Sequence, residues 1–555
     1  MGNDCATQSR NARTEATQLT FFKSKLMKSY SKTPLFGTLR KALGMALTAH
    51  KTNMSAEEII QQNEAATISR RKFLENTGKT ALIVGLTGVG TEGIGRSLFQ
   101  TTQPRIVIVG GGMAGLNALH TLKKAGYDAT VYEASGRTGG RIFSVQGAMG
   151  EGTWAEFGAE FIDTDHEDMW TLAKEFNIEL IDYAQASEEK LIKEAFFFNG
   201  KHYTLVDVIK EFMTFAPQLK KDQESLPEVI DYKTPNPIAT KFDNMSLSEY
   251  LRSIGATGWG KTFIEVAYES EYGLSPAVQS SLNLLLLISP DTEGGHIELF
   301  GESDERYKTR GGNQSIPTAL AKKYASNIQV NRALTIIKSV DKEFELTFSG
   351  LPTAVKADYV IMAIPFTKLR NVSIQVSMPQ VKWDCINKLS YGTNSKLMLG
   401  MKSHLWRKQG YGGLVYSDNG IPNGWDNAQL QTGDDQPAGL SILFGGPSGL
   451  AVAKGNIADQ ADKYLPKWEQ IYPGVSKQFN GKMVRMTWPT YPFNLGSYIC
   501  YTTGQYTTLS GSEAMPVGNL HFAGEHCGGE FAGFMNGAAK SGREAATDVM
   551  AKIKK

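Results

Sequence analysis

The sequence has little of what metal centres and disulfide scaffolds require: four cysteines and eight histidines among 555 residues. Cys5, Cys385, Cys500 and Cys527 are too widely spaced for a C-x-x-C motif or a disulfide framework. The histidines show no metal-ligand spacing. We therefore predict neither a metal site nor a disulfide-stabilised fold.

Charge of one sign is also lacking, because the formal net charge is only +2. No basic block carries interleaved aromatics, so we predict no nucleic-acid partner. The apolar stretch Ala81–Val89 is too short and too rich in glycine for a confident membrane span. A chain of 555 residues exceeds one ordinary hydrophobic core, which favours two domains.

A glycine-rich fingerprint follows a short β-branched run, Arg105–Val109, that predicts a buried strand. Gly110, Gly112 and Gly115 supply the spacing G-x-G-x-x-G. The first glycine permits a tight turn, the second allows the backbone to approach a pyrophosphate, and the third allows close packing of a helix that begins near Met113. This pattern predicts a dinucleotide site.

The next strand, Ala129–Tyr132, ends at Glu133, about 20 residues after the glycines, where an acceptor for ribose hydroxyls belongs. Arg137, Gly140 and Arg141 follow in the segment ASGRTGGR, which suits a second clamp on a pyrophosphate. The segment resembles the E-A-x-x-R-x-G-G-R motif of the flavin amine oxidase superfamily. The resemblance implies FAD as the dinucleotide.

Further segments extend the resemblance over most of residues 104–555. Asn519–His526 is similar to the family's F-A-G-E-H turn, whose acid, here Glu525, binds the ribityl chain. Phe531–Ala546 is similar to the family's final helix, which presents backbone N–H groups to the flavin ring. The remaining matches are Arg310–Gln314, the strand Ile328–Leu334 that follows it, and the strand and turn Ala357–Pro365.

The resemblance assigns residues from all of these segments to cofactor binding: Gly110, Gly112, Met113, Ala114, Gly115, Glu133, Arg137, Gly140, Arg141, Leu334, Gly524, Glu525, Phe534 and Met535. A covalent bond to flavin through Cys500 is disfavoured. Aligning by Gly496-Ser497 places Tyr498, not Cys500, at the position of the flavin-bonded cysteine of monoamine oxidases. We expect non-covalent FAD.

The predicted fold class is α/β, or α+β overall. A Rossmann-like FAD-binding domain of the amine oxidase type is assembled from residues 104–170, 302–366 and 487–555. Residues 171–301 and 367–486 form one mixed helix and sheet substrate domain. The first of these inserts reads as rich in helix, including Ser246–Ile254 and Ser280–Ile288, with little strand signal.

The resemblance also assigns catalytic roles. Lys396, in the segment YGTNSK and an alternating strand, matches a lysine that holds a water near flavin N5. Tyr498 and Phe534 match the aromatic pair that encloses the reacting carbon in polyamine oxidases.

The charged residues near the expected substrate site predict the class of substrate. Amino acid oxidases carry an arginine just after the turn in WAEFGAEFIDTD, where this chain has Phe161. Asp163, Glu160 and Glu271 are instead the candidate substrate residues, and carboxylates without a nearby arginine favour a cationic amine. An arginine from elsewhere, such as Arg306, keeps an L-amino acid substrate open.

The predicted function is FAD-dependent oxidation of a polyamine or primary amine to an imine and then an aldehyde, with O₂ reduced to H₂O₂. The alternatives are an L-amino acid oxidase, a desaturase of the same fold and a non-catalytic flavin-binding protein. The exact amine, the electron acceptor and the oligomeric state stay open.

Residues 1–103 form a leader. Ser69–Leu74 reads SRRKFL and precedes Ala81–Val89, which is the order of a twin-arginine signal for a periplasmic or secreted protein. A long leader precedes the motif, no A-x-A-like cleavage site follows it, and Met54 is a candidate start. An amphipathic helix docked on a cytoplasmic enzyme is the alternative.

Overall fold

A five-stranded parallel sheet carries the glycine fingerprint. In the computed structural model, which describes residues 34–61, 103–287 and 304–554, its strands pair in an order that brings distant segments together. That order is Leu520–Phe522, Tyr359–Met362, Ile106–Val109, Thr130–Tyr132 and Ile328–Gln329.

Alternation along the central strand divides the core in two. Ile106 and Ile108 pack against the fingerprint helix, Met113–Lys124, and the C-terminal helix, Met535–Ile553. Val107 and Val109 face the opposite layer. That layer is a four-stranded sheet in the order Val355–Ala357, Glu343–Phe348, Leu334–Val340 and Ser373–Gln375.

A second, seven-stranded sheet builds the other half of the molecule. Its order is Phe479–Thr487, Ser395–Met401, Ala438–Phe444, Asn423–Asp426, Tyr411–Ser417, Ile192–Phe198 and Lys201–Tyr203. Two short antiparallel pairs complete the strands: Ser144–Gln146 with Trp154–Glu156, and Leu180–Asp182 with Tyr307–Thr309.

The remaining helices pack against the seven-stranded sheet, against the helices already named and against one another. The α-helices are Glu167–Glu175, Leu205–Phe212, Ala216–Glu224, Pro237–Asp243, Leu247–Ser253, Gly258–Tyr272, Leu282–Leu287, Ser315–Lys323, Phe366–Leu369, Gln380–Lys388, Leu405–Lys408, Gly446–Val452, Ile457–Ile471 and Tyr506–Leu509. The 3₁₀ turns are Ala325–Asn327, Val475–Gln478, Trp488–Thr490, Glu525–Cys527 and Gly529–Phe531. No helix in the described part of the chain is long and apolar enough to span a membrane.

Two expectations about strands are wrong. Ile328–Leu334 is not one strand, because Asn331 has a φ of +56°, which extended backbone cannot accommodate. The chain therefore leaves the parallel sheet after Gln329 and enters the four-stranded sheet at Leu334. The insert 171–301, predicted to have little strand, also contains the seven-residue strand Ile192–Phe198. Its first half is mostly polar and gives a weak strand signal, although its last four residues are buried.

Part of the segment assigned to a leader packs on the body of the protein. The N-terminal helix, Pro34–Thr52, buries Leu43 and Met45 in a cluster that contains Phe212 and Phe263. A reciprocal Ser55–Glu58 hydrogen-bond pair then starts a further helical turn at residue 56. The twin-arginine segments Ser69–Leu74 and Ala81–Val89 lie outside the described residues.

Leu43→Ala should therefore destabilise the whole protein. Leu43 is fully buried, so we expect the free energy of unfolding to fall by about 2–5 kcal/mol. The measurement is urea unfolding of the purified protein, with the exposed Lys51→Ala on the same helix as control. An unchanged midpoint for Leu43→Ala would show that this helix is not part of the stable fold.

Candidate active site

One large cavity opens where the parallel strands end. Its empty space, counted out to the open mouth, is about 1490 Å³. Ligands of open α/β sheets bind at this carboxyl edge. Residues that follow four of the strands line the cavity: Gly110, Glu133, Ala363 and Gly524.

The glycine turn is shaped for close approach by a ligand. Gly110 has a φ of +107°, and a Cβ on Gly115 would lie 1.9 Å from the Gly110 carbonyl oxygen. A Cβ on Gly112 would meet only Gly140 Cα, at an ordinary 3.9 Å, so the protein itself leaves room beside this backbone. Met113 and Ala114 also line the cavity and begin the fingerprint helix, whose N-terminus favours an anion such as pyrophosphate.

Glu133 is held facing this turn. One carboxylate oxygen accepts the Gly111 N–H at 2.7 Å, and the other accepts the N–H and hydroxyl of Ser135 at 2.8 and 2.7 Å. A carboxylate has about four acceptor positions, so capacity for ribose hydroxyls is left. The geometry at Glu133 fits a dinucleotide.

The two arginines of the second clamp have different surroundings. Arg137 donates to the carbonyl oxygens of Thr138 and Gly140 and lies 4.1 Å from the centre of the Phe143 ring. Arg141 donates to Glu525 at 2.7 Å. Glycines here keep the clamp close to the fingerprint, because the Gly139 N–H donates to the Gly111 carbonyl. Arg137, Gly140, Arg141 and Glu525 all line the cavity.

The N-terminal end of the C-terminal helix lines the cavity. This helix begins at Met535, not Phe531, because Gly533 has a φ of +90° and separates it from the preceding 3₁₀ turn. A Cβ on Gly542 would lie 2.1 Å from the Ala114 carbonyl oxygen, which shows how closely this helix meets the fingerprint helix. Met535 lines the cavity.

Leu334 does not line the cavity. It begins a strand of the four-stranded sheet and packs against the apolar core there. The predicted role of Leu334 in cofactor binding does not fit this position, because Asn331 turns the chain away first.

Lys396 lines the cavity, but its ammonium group is fully engaged. Its Nζ donates to the carbonyl oxygens of Glu156 and Gly158 at 3.1 and 2.7 Å and to Glu160 at 2.5 Å. An ammonium has three donors, so none is left for the predicted water near flavin N5. The strand does not alternate either, because all seven residues of Ser395–Met401 are buried.

Glu160 joins two buried lysines rather than facing a free substrate cation. Its other oxygen accepts from Lys308 at 2.6 Å and from the indole N–H of Trp425 at 2.9 Å. Burial acts to raise the pKa of Glu160, but the charges of Lys308 and Lys396 outweigh it and lower the pKa to about 2. Glu160 lines the cavity, but both of its oxygens are used by these partners, which does not fit the predicted substrate role. Sequence reasoning missed Lys308 and Trp425, which lie far away in the chain.

Tyr498 and Phe534 both line the cavity, which is where their predicted role places them. The loop of Tyr498 is fixed by the Gly392 N–H, which donates to the Tyr498 carbonyl oxygen at 2.8 Å. Cys500 is fully buried in another core cluster and does not line the cavity.

Asp163 lies behind the cavity wall, not on it. It is fully buried, and its Oδ1 accepts the Glu305 N–H at 2.9 Å. Its own N–H donates to Nδ1 of His166, whose ring packs edge-on against Phe534 at 5.0 Å. Burial lowers the pKa of His166 to about 3, so this histidine is neutral. Asp163, Asp165 and His166 place ligand-type atoms within 4.8 Å of one another, a grouping that the sequence did not suggest.

Glu271 is also fully buried and does not line the cavity. Glu305 does line it and was missed, because Asp304-Glu305 resembles an ordinary solvated acidic turn in the sequence. Arg306, the candidate arginine for an amino acid carboxylate, instead forms a two-point pair with Asp182 at 2.7 and 2.5 Å. It does not line the cavity.

Comparison with known proteins gives the same family throughout. The family model described as flavin-containing amine oxidoreductase matches residues 113–550. A flavin-containing amine oxidase from Danio rerio is 24% identical over 464 residues, covering 80% of this chain and 85% of its own. An L-amino acid dehydrogenase from Synechocystis sp. is 24% identical over 460 residues, covering 80% and 94%.

Solved structures share the fold. Cyclohexylamine oxidase from Brevibacterium oxydans superimposes with a TM-score of 0.71 at 18% identity, covering 82% of this chain and 100% of its own. Putrescine oxidase gives a TM-score of 0.69 at 18% identity, covering 81% and 99%. The Rossmann-like parallel sheet and the mixed second half are therefore those of the FAD-dependent amine oxidase fold, as predicted. The chain belongs to the flavin-containing amine oxidoreductase family and is an oxidoreductase with FAD as its cofactor.

Proposed function

We propose that this enzyme oxidises an amine without an α-carboxylate, a primary amine or polyamine, and uses O₂ as the electron acceptor. Bound FAD would supply the redox chemistry by accepting a hydride equivalent, which is one proton and two electrons, from the carbon next to nitrogen. The nitrogen would lose a second proton, and O₂ would receive the two electrons and two protons to give H₂O₂. The imine product takes up water and separates into an aldehyde and an amine or ammonia.

The observation that carries this proposal is how the positively charged side chains in the cavity wall are paired. The described residues that line it include three cations, Arg137, Arg141 and Lys396. Arg141 is paired with Glu525 and Lys396 with Glu160, while Arg137 donates to main-chain carbonyls. An amino acid carboxylate would have to displace Glu525 from Arg141 or Glu160 from Lys396, whereas an amine would not. Arg137, whose Nε has no hydrogen-bond partner in the described part of the chain, lies in the predicted pyrophosphate clamp and would be used by FAD.

The aromatic end of the cavity suits the reacting amine. Tyr498 and Phe534 offer apolar ring surface, and burial there disfavours the charged ammonium relative to the neutral amine. The neutral form is the one that gives up a hydride equivalent. No side-chain base is needed for this step. Because Cys500 lies away from the cavity, we further propose that the FAD is bound non-covalently.

A substrate panel tests the function. The yellow holoenzyme is mixed without oxygen with butylamine, benzylamine, 1,4-diaminobutane, L-leucine and L-lysine, and flavin absorbance is followed. We expect the amines to bleach the flavin and, in air, to release H₂O₂. Bleaching by L-amino acids alone would overturn the proposal, and bleaching by amines without peroxide would make the enzyme a dehydrogenase.

The variant Arg306→Gln tests the alternative that the substrate is an L-amino acid. We expect amine turnover to be unchanged, because Arg306 is paired with Asp182 outside the cavity. Loss of L-amino acid turnover in this variant would instead show that Arg306 leaves Asp182 to bind a carboxylate.

Export by the twin-arginine route is likewise a proposal. It is supported by the order of Ser69–Leu74 and Ala81–Val89 in the sequence.

A further inference from the structure

Glu305 is a carboxyl group in the cavity wall with nothing to bind. Its side chain is 8% exposed, and neither carboxyl oxygen has a hydrogen-bond partner within residues 34–61, 103–287 and 304–554. Buried polar groups are nearly always paired, so an orphaned one facing a cavity calls for a ligand. A carboxylate accepts hydrogen bonds and attracts positive charge.

The position of Glu305 is imposed by the fold. Its N–H donates to buried Asp163 at 2.9 Å, and its φ is +44°, which non-glycine residues rarely adopt. Asp163 in turn holds His166, which packs on Phe534. Glu305 is thus connected through Asp163 and His166 to the aromatic end of the cavity, where the reacting amine is proposed to lie.

The electrostatic surroundings of Glu305 favour a cation. Burial, followed by the negative charges of nearby carboxylates, raises the pKa of Glu305 well above its usual range. Lys308 and Lys396 are each paired with Glu160. The acidic groups that act on Glu305 are Asp163, Glu271, Asp304 and Glu160.

We propose that Glu305 binds the second, distal ammonium group of a diamine whose other nitrogen is oxidised beside Tyr498 and Phe534. The proposal rests on the amine oxidase function above and narrows it to substrates with two cationic nitrogens. An ammonium at Glu305 would supply the missing hydrogen bonds and favour the ionised carboxylate, so diamine binding should release a proton wherever Glu305 is protonated in the free enzyme.

Glu305→Gln tests the proposal with two substrates that differ only in the second nitrogen. For 1,4-diaminobutane we expect kcat/KM of the variant holoenzyme to fall by about 30- to 100-fold, because a charge-assisted contact is lost. For butylamine we expect a change of less than about threefold, since it does not reach the acid with a charge. Equal losses for both amines, or no loss for either, would overturn the proposal.

Asp304→Asn is the matched control. Asp304 is the neighbouring acid but is exposed, and it accepts hydrogen bonds from Thr164. Its removal should leave the ratio of diamine to monoamine kcat/KM unchanged. A fall in that ratio equal to that of Glu305→Gln would mean that general negative charge, not contact with Glu305, selects the diamine.

Calorimetry can test the Glu305 site even if the proposed amine oxidation fails. If no amine reduces the flavin, 1,4-diaminobutane and butylamine can be titrated into the oxidised holoenzyme directly. Diamine binding that is weakened by Glu305→Gln and releases a proton would support the Glu305 site even though amine oxidation had failed. Equal binding of both amines, or equal binding by both proteins, would overturn it.

Discussion

Gly115→Ala is expected to yield a protein that no longer retains FAD. The added Cβ would lie 1.9 Å from the Gly110 carbonyl oxygen and 3.2 Å from Ile108 Cγ2, so the glycine turn must move. That turn and the helix N-terminus after it form the predicted pyrophosphate site. A cost of about 3 kcal/mol, at the upper end for overpacking, corresponds to roughly 100-fold weaker FAD binding.

The measurement is the ratio of flavin to protein absorbance after gel filtration, together with the thermal unfolding midpoint. Gly136→Ala is the control in the facing loop, because its Cβ would meet only Asn331 Oδ1, at an ordinary 3.6 Å. We expect that variant to stay yellow. Full flavin content in Gly115→Ala would show that the turn tolerates the methyl group and that its geometry does not limit FAD binding.

Glu160→Gln is expected to lower the free energy of unfolding by about 3–5 kcal/mol. The change leaves Lys308, which is fully buried, without its carboxylate, and removes one of the three acceptors of Lys396. Urea unfolding with saturating FAD measures the loss. The surface pair Glu179–Arg310 has a similar 2.7 Å separation but both side chains are more than half exposed, so Glu179→Gln should have no measurable effect.

The double variant Glu160→Gln/Lys308→Met separates charge from packing. Because it removes the unpaired ammonium as well, it should recover part of the stability lost in Glu160→Gln. If Lys308→Met lowers the free energy of unfolding of Glu160→Gln by as much as it lowers that of the wild type, the two groups do not interact.

The same pair predicts a pH dependence. The pKa of Glu160 is lowered to about 2 in the folded protein, from an ordinary 4.5, so its stabilising effect is fully present above about pH 4.5. It is lost as pH falls from there toward 2. The stability difference between the wild type and Glu160→Gln should therefore shrink below pH 4.5, and a difference that stays constant down to pH 3 would contradict the assignment.

Much of the fold was readable from local sequence, since each flavin segment carries its own signal. Glycines with required spacing, a β-branched strand before them and an acid after the next strand are short-range features, because each constrains its own turn or strand end. The amine oxidase fold and FAD followed from them and are confirmed. The split of Ile328–Leu334 was not readable, because a single left-handed Asn331 redirects the chain.

The sequence by itself thus determined the family, the cofactor and the segments that surround it. Only the tertiary structure decided which charged side chains are free, since pairing depends on residues that are distant in the chain. Glu160 is used by Lys308 and Lys396, which follow it by 148 and 236 positions, while Glu305 is left facing the cavity without a partner in the described part of the chain. Burial makes each such pairing decisive, because an ionised group removed from water needs a partner or a ligand.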